Sequence, residues 1–231
     1  MTTSKFGTLY REHLALGATF EEAEDGVPPR PATYPGSEPA SHVGEGAFLS
    51  DLTGSTYALV SGTSAQALCE SALCGRKLAV GECAFEPALL GDGAIASAPL
   101  CLRTGDSEYV LLDPTDRGET LVSWVGFLAN LRQDGFAPYE GAKVDDASEM
   151  LVPLLLVGAQ ARDVLSDYVK SPVDLPQAGH VAQVRLDSIL CVIAGLPLAD
   201  TAVAGYVVFV PKAQAPVLWR SFLSFSQVSP A

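Results

Sequence analysis

The sequence predicts an α+β fold with mixed or antiparallel sheets and helices interspersed among the strands. Three observations carry this. Runs of aliphatic, β-branched and aromatic residues bounded by turn signals outnumber the stretches with helical periodicity. The helical stretches are scattered between those runs rather than gathered at one end. Finally, 48% hydrophobic against 18% charged residues over 231 positions is enough to bury a core and excludes wholesale disorder. That length suits one large domain or two small ones. No internal repeat period is visible.

Taken in order, residues 8–20 carry Leu9, Leu14, Leu16 and Ala18, which suits a short helix or an extended arm packed on the body. Residues 21–46 open with Glu21, Glu22, Glu24 and Asp25 and continue rich in Pro, Gly and Ser, the composition of a long irregular loop. Residues 55–60 read as a strand ending at Ser61-Gly62, after which Thr63 is placed to cap a helix to about Leu73, with Gly75 as its stop. Asp92-Gly93 is a turn signal, and with the strand at 107–112 it suggests a hairpin. Over residues 118–132, Leu121, Trp124, Val125, Leu128 and Leu131 form an apolar stripe of helical period.

The second half continues the pattern. Residues 149–157 read as a strand whose Pro153 argues for an edge or a bulge, with Gly158 turning it over into a helix at 159–168. Residues 181–192 and 205–210 are two more strands, separated by a turn-like Gly195-Leu196-Pro197, and residues 213–222 form a closing helix. Phe222, Leu223 and Phe225 suit either the core or a docking patch, with core the preferred reading.

Charge narrows the partners. With 27 Asp and Glu against 14 Lys and Arg, the formal charge is −13, and no basic cluster exceeds Arg76-Lys77, so nucleic acid and anionic membrane are poor partners. The five cysteines are odd in number and form no Cys-x-x-Cys, which reads as buried free thiols. The first ten residues lack an apolar signal core, and no apolar run is long enough to span a bilayer. A soluble cytoplasmic protein is expected.

Catalytic motifs are sparse. His13, His42 and His180 have no zinc-like spacing to one another or to Cys or carboxylates, so no metal is expected. Ser61-Gly62-Thr63-Ser64 lacks the Gly-x-Ser-x-Gly frame of a nucleophile elbow and reads better as a strand-to-helix cap. No Gly-x-Gly-x-x-Gly or Walker loop is present. Asp145-Asp146 reads as a solvated loop.

Four strings, taken together, resemble one family. Thr8-Leu9-Tyr10-Arg11-Glu12-His13-Leu14-Ala15-Leu16-Gly17-Ala18 is similar to the opening Leu-Tyr-x-x-His-x-x-Leu-Gly-Ala of the folate-binding T-protein, the aminomethyltransferase of the glycine cleavage system. Gly46-Ala47-Phe48, ahead of a strand ending at Val60-Ser61-Gly62, resembles that family's Gly-Leu-Phe-Asp segment and the helix start beyond it. Leu156-Val157-Gly158-Ala159-Gln160-Ala161 looks like its Leu-Gln-Gly-Pro-x-Ala. Gly205-Tyr206-Val207-Val208-Phe209-Val210-Pro211, followed by Ala215-Pro216-Val217-Leu218-Trp219, is similar to its Gly-Phe-Glu-Leu-x-Val-Pro and Ala-x-x-Leu-Trp.

The resemblance implies a folate-binding region over residues 1–231, as one body or two interleaved subdomains, with the family's C-terminal barrel absent. It implies tetrahydrofolate as the ligand, with Asp92, Gly93, Asp113, Asp116, Arg117 and Tyr206 as the matching contact positions. The family's Asp-Gly-Gly-x-x-Asp-Asp segment, which carries the reacting acid, aligns with Asp92-Gly93-Ala94-Ile95-Ala96-Ser97-Ala98, so a hydroxyl and a methyl stand where the acid would be. Acid–base assistance of roughly 10²–10⁴-fold depends on such a group. The family's pterin-gripping Glu aligns with Val207. The catalytic residues are thus unassigned, and two readings stay open beside an unrelated α+β binding domain. One is a tetrahydrofolate-dependent aminomethyl or methyl transferase with an altered site. The other is a non-catalytic scaffold or regulatory subunit of an oxidase, demethylase or glycine-cleavage-like assembly, in which a protein partner supplies the missing domain.

Overall fold

In the computed structural model, residues 6–21, 28–36, 43–200 and 202–231 are described. The acidic stretch of the 21–46 loop, including Glu22, Glu24 and Asp25, lies outside them. The chain is mixed α+β and divides into two units, each with its own sheet and core.

The first unit comprises residues 1–54, 150–178 and 182–231. It begins with helix α1 (Tyr10–Ala15) and a two-stranded sheet of β1 (Thr19–Phe20) and β2 (Pro31–Thr33), so part of the expected loop is ordered strand. Its main sheet uses β3 (Ala47–Asp51), β11 (Leu151–Gly158), β12 (Val181–Leu186), β13 (Ile189–Gly195), β14 (Ala204–Pro211) and β15 (Val228–Pro230), in the order β12-β13-β14-β11-β3-β15. β11 runs antiparallel to both β14 and β3, while β15 joins β3 in parallel. Alternation along β11 and β14 sends Val152, Leu154, Leu156, Tyr206, Val208 and Val210 into one core. Helices α4 (Ala161–Ser166) and α5 (Ala215–Phe222) cover that face, with Leu165, Leu218, Trp219 and Phe222 fully or almost fully buried. Phe222 is therefore core. Val207 and Phe209, which alternate to the other face of β14, are buried too, so the strand reads as one continuous apolar run.

Pro153 sits in a central strand, opposite Phe209, and not at an edge. Its carbonyl accepts from Leu52 N–H at 3.0 Å, just where β3 leaves the sheet after Asp51. N and C=O of one strand residue point to the same side, so the missing N–H faces the end of β3 and breaks no ladder bond. Replacing Pro153 with Ala is expected to lower stability by only about 0.5–1 kcal/mol, chiefly through a freer unfolded chain, as measured by urea unfolding. The run 181–192 is not one strand but parts of two, reversing through Asp187 at φ 51 and Ser188. Gly158 ends β11 at φ +147, where the chain leaves the strand toward α4.

The second unit comprises residues 55–149 and 179–181. Its antiparallel sheet uses β4 (Thr56–Gly62), β5 (Cys83–Phe85), β8 (Leu100–Gly105), β9 (Glu108–Asp113) and β10 (Ala142–Asp146), in the order β10-β4-β9-β8-β5. Helices α2 (Ala65–Ala72) and α3 (Gly118–Ala129) pack Leu68, Cys69, Leu121 and Val125 onto Val60, Cys101, Tyr109 and Leu111. A small hairpin, β6 (Ala88–Leu89) with β7 (Ile95–Ser97), adds Ala88 and Ala96 to the same core.

Local differences from the sequence reading have simple causes. Ser64, not Thr63, precedes α2, and its hydroxyl donates to Glu140 O at 2.7 Å instead of capping the helix. Asp92-Gly93 closes β6–β7, whereas the strand near 107–112 pairs with β8, a strand the sequence reading does not contain. Asp145 and Asp146 belong to the edge strand β10. Their exposed charges suit an edge, where they oppose pairing with another chain. Cys69, Cys83, Cys101 and Cys191 are buried free thiols, but Cys74 is exposed.

Candidate functional site

The polar residues singled out in the second unit gather where β7, the end of β9 and the start of α3 meet. The Asp92 side chain accepts from Ala94 N–H at 2.9 Å, and Gly93 follows at φ +84, which fixes an exposed hairpin tip. From there β7 leads to Ser97, 2% exposed, whose hydroxyl donates to Asp113 Oδ2. Asp113 itself is 1% exposed. Its Oδ1 accepts from Thr115 N–H at 2.9 Å and from the Thr115 hydroxyl at 2.7 Å. Both carboxylate oxygens are thus engaged inside the protein, as a buried acid requires.

That carboxylate organises the start of α3. Thr115 Oγ1 accepts from Arg117 N–H at 3.2 Å, and Arg117 Nη1 reaches back to Ile95 O at 3.0 Å. Gly118 opens the helix where a Cβ would fall 1.9 Å from Thr56 Oγ1, so only glycine lets the helix start approach β4 this closely. Asp116 and Arg117 are exposed, and Asp116 and Glu119 place negative charge at the positive end of the helix. This part of the second unit therefore offers three exposed charged groups, Asp92, Asp116 and Arg117, and one buried acid whose two oxygens are both hydrogen-bonded. Buried thiols elsewhere in this unit are no substitute nucleophiles. Burial pushes Cys69 up to about 12 and Cys83 to about 11, leaving each almost wholly protonated near neutral pH.

Tyr206 belongs to the first unit. Its ring lies in the core beneath α4, and its hydroxyl accepts from Arg162 Nη1 at 2.8 Å. Arg162 Nη2 donates to Pro172 O at 2.9 Å. Val207, the next residue, is 2% exposed and brings no acceptor.

The sequence pattern of the GCVT N-terminal domain matches residues 9–228. The chain belongs to this family. That excludes an unrelated domain with coincidental strings. Among solved structures, it is similar to the glycine cleavage system aminomethyltransferase T from Bartonella henselae, with a TM-score of 0.78 and 22% identity, over 99% of this chain and 60% of that one. A chain of the heterotetrameric sarcosine oxidase from Corynebacterium sp. U-96, in complex with pyrrole 2-carboxylate, matches with a TM-score of 0.51 and 18% identity, over 80% of this chain and 88% of that one. At these identities the likeness is one of fold. A comparison with curated protein sequences finds no match.

Within this GCVT-family domain, the links that decide the roles join residues far apart in sequence. Ser97 and Asp113 are 16 positions apart, and Arg162 and Tyr206 are 44 apart. Asp113-Pro114-Thr115 carried a local signal, since an Asp followed two residues later by a donor is the pattern of a side-chain-capped turn. Arg162 and His13 were missed as polar anchors. His13 Nε2 lies 2.9 Å from Asp51 Oδ2 and its Nδ1 2.8 Å from the Tyr34 hydroxyl, partners that neither metal-ligand spacing nor the family string reveals. Among the described residues no group of three or more His, Cys, Asp or Glu is arranged to hold a metal, and no helix is long and apolar enough to cross a membrane.

Proposed function

We propose that this GCVT-family domain binds tetrahydrofolate but does not itself perform aminomethyl or methyl transfer. The observation that carries the reading is the engagement of the Ser97 hydroxyl by buried Asp113. At the position aligned with the family's reacting acid there is a neutral group already donating its proton, followed by exposed Ala98. Neither accepts a proton nor stabilises a positive charge developing on a folate nitrogen. Asp113 does not replace the lost acid, because its oxygens already hold Ser97 and Thr115.

For binding alone, the remaining groups fit. Asp92 and Asp116 are exposed acceptors suited to the amino and amide N–H donors of a reduced pterin, and Arg117 is an exposed cation suited to the carboxylates of the glutamate tail. The net charge of −13 opposes a long polyglutamate tail, so the monoglutamate is the better ligand. Isothermal titration with tetrahydrofolate is expected to give saturable heat, while turnover assays with aminomethyl or methyl donors give none. Absence of heat at about 1 mM ligand would remove the folate reading. Measurable turnover by the unaccompanied chain would remove the claim of inactivity.

A second reading is favoured by the sarcosine oxidase match, a chain of a heterotetramer: this chain works as a cytoplasmic subunit of a larger assembly with a protein partner. Purification from the native source is expected to yield a complex of stable stoichiometry. Recovery of unaccompanied protein with turnover would overturn this role.

A further inference from the structure

Glu86 follows β5 and is 3% exposed. Its main-chain N–H donates to Pro99 O at 3.0 Å, so the residue has a fixed base. The carboxyl lies directly against the turn at Gly75. A Cβ on Gly75 would fall 1.3 Å from Glu86 Oε2 and 2.3 Å from the carboxyl carbon, so this seat exists only because residue 75 has no side chain. The Arg76 main-chain N–H hydrogen-bonds the carboxyl, while Oε2 is buried without a partner. The same loop is also tied by Cys74 N–H to Pro87 O at 2.8 Å and by Arg103 Nη1 to Leu78 O at 2.8 Å.

This seat suits a neutral carboxyl and not an ionised one. A proton on the acid keeps the buried group uncharged, whereas a carboxylate leaves charge on an oxygen with no donor. The cation at hand is Arg76, whose side chain is largely exposed and sits 3.8 Å from Glu82. Among the described residues, the Cys101 thiol on β8 also lies in electrostatic reach, and burial holds it neutral. Burial raises the Glu86 pKa above the ordinary carboxylate value, with the N–H and charge of Arg76 opposing the rise.

We propose that Glu86 is a protonation latch for the turn at residues 74–77: neutral, its carboxyl stays seated against Gly75 and holds the turn; ionised, it gives its proton to solvent and releases the turn, as Arg76 leaves Glu82 to pair with it. A raised folded pKa places the closed state on the acid side, and the latch opens as pH rises through that value. Cys74 lies on the turn and is the exposed cysteine, which makes it a built-in reporter.

The test is iodoacetamide alkylation of Cys74 across about pH 5 to 8, corrected for thiolate fraction. The wild type is expected to show a several-fold rise in corrected rate with pH. Glu86→Gln, which cannot ionise, is expected to remain at the low-pH rate throughout. The same step in both proteins, or no step in the wild type, overturns the latch. Should Glu86→Gln fail to fold, the wild type alone decides. A Glu86 carboxyl titration seen by NMR must then coincide with faster amide exchange at 74–77, after correction for intrinsic base catalysis, and titration without that change overturns the proposal equally.

Discussion

Replacing His13 with alanine is expected to destabilise the protein by about 3–5 kcal/mol near neutral pH, measured as a fall in the urea unfolding midpoint at unchanged m-value. The reason is a buried polar chain that no other residue can complete. The side chains of His13 and Asp51 are 3% and 4% exposed, and their polar atoms are 2.9 Å apart. Asp51 Oδ1 already accepts from Thr53 N–H and from the Thr53 hydroxyl, so Nε2–H of His13 is the donor that answers Oδ2. At Nδ1 the ring accepts from the Tyr34 hydroxyl, whose pKa is driven up first by burial and then by the charge of Asp51, so the phenol keeps its proton. Alanine would remove both links and the edge-to-face contact of the imidazole with Trp219 at 5.0 Å.

A pH signature separates this from a plain cavity. In the His13→Ala protein, Asp51 is left with a buried, unanswered oxygen, so its folded pKa rises above the unfolded value near 3.9. That group then favours the folded state below the unfolded pKa, and the advantage disappears as pH rises through the folded pKa. The deficit relative to wild type should therefore shrink on acidification. A deficit independent of pH would mean that packing alone was lost.

Restoring the family's acid by Ser97→Asp is expected to cost about 3–5 kcal/mol near neutral pH and not to restore transfer activity. Position 97 is 2% exposed and faces Asp113, so the change sets two carboxyls side by side in the core. Like charges at that separation cannot both ionise, and one proton is retained by the pair. The raised pKa again places the stable range on the acid side, below the unfolded value, with stability lost as pH climbs through the folded one. Urea midpoints at about pH 4.5 and pH 8 would show the gap to wild type widening at the higher pH. Aminomethyl transfer by this variant, with stability unchanged, would contradict the assignment of Ser97 as a clamp on Asp113.

Part of this was legible in the sequence. Helix α3 follows from its apolar stripe, because a 3.6-residue period over three turns has no competing explanation. The family resemblance was carried by short strings at the start, middle and end of the chain, and the family match covers the same span. The hairpin turn at Asp92-Gly93 was readable for a local reason, the low cost of positive φ at glycine. Strand partners were not. Pro153 looked like an edge residue because proline lacks an N–H, and its tolerance inside the sheet depends on where β3 happens to end. The division of 181–192 into two strands hinges on Asp187 taking φ 51, which a run of β-formers conceals.

What the sequence by itself determined was the class of the chain, its family and the absence of a carboxylate at Ser97 and Ala98, since each depends on local residue identity or order alone. What only the tertiary structure decided was the fate of each polar side chain. By sequence Asp113 and Asp116 are equivalent contact positions, yet one is buried against Ser97 and Thr115 and the other is exposed. His13, Arg162 and Glu86 became anchors through partners at least ten positions away. Hydrogen bonding and burial depend on distances that folding sets between remote residues, and a carboxylate's chemistry follows from those neighbours rather than from its own place in the chain.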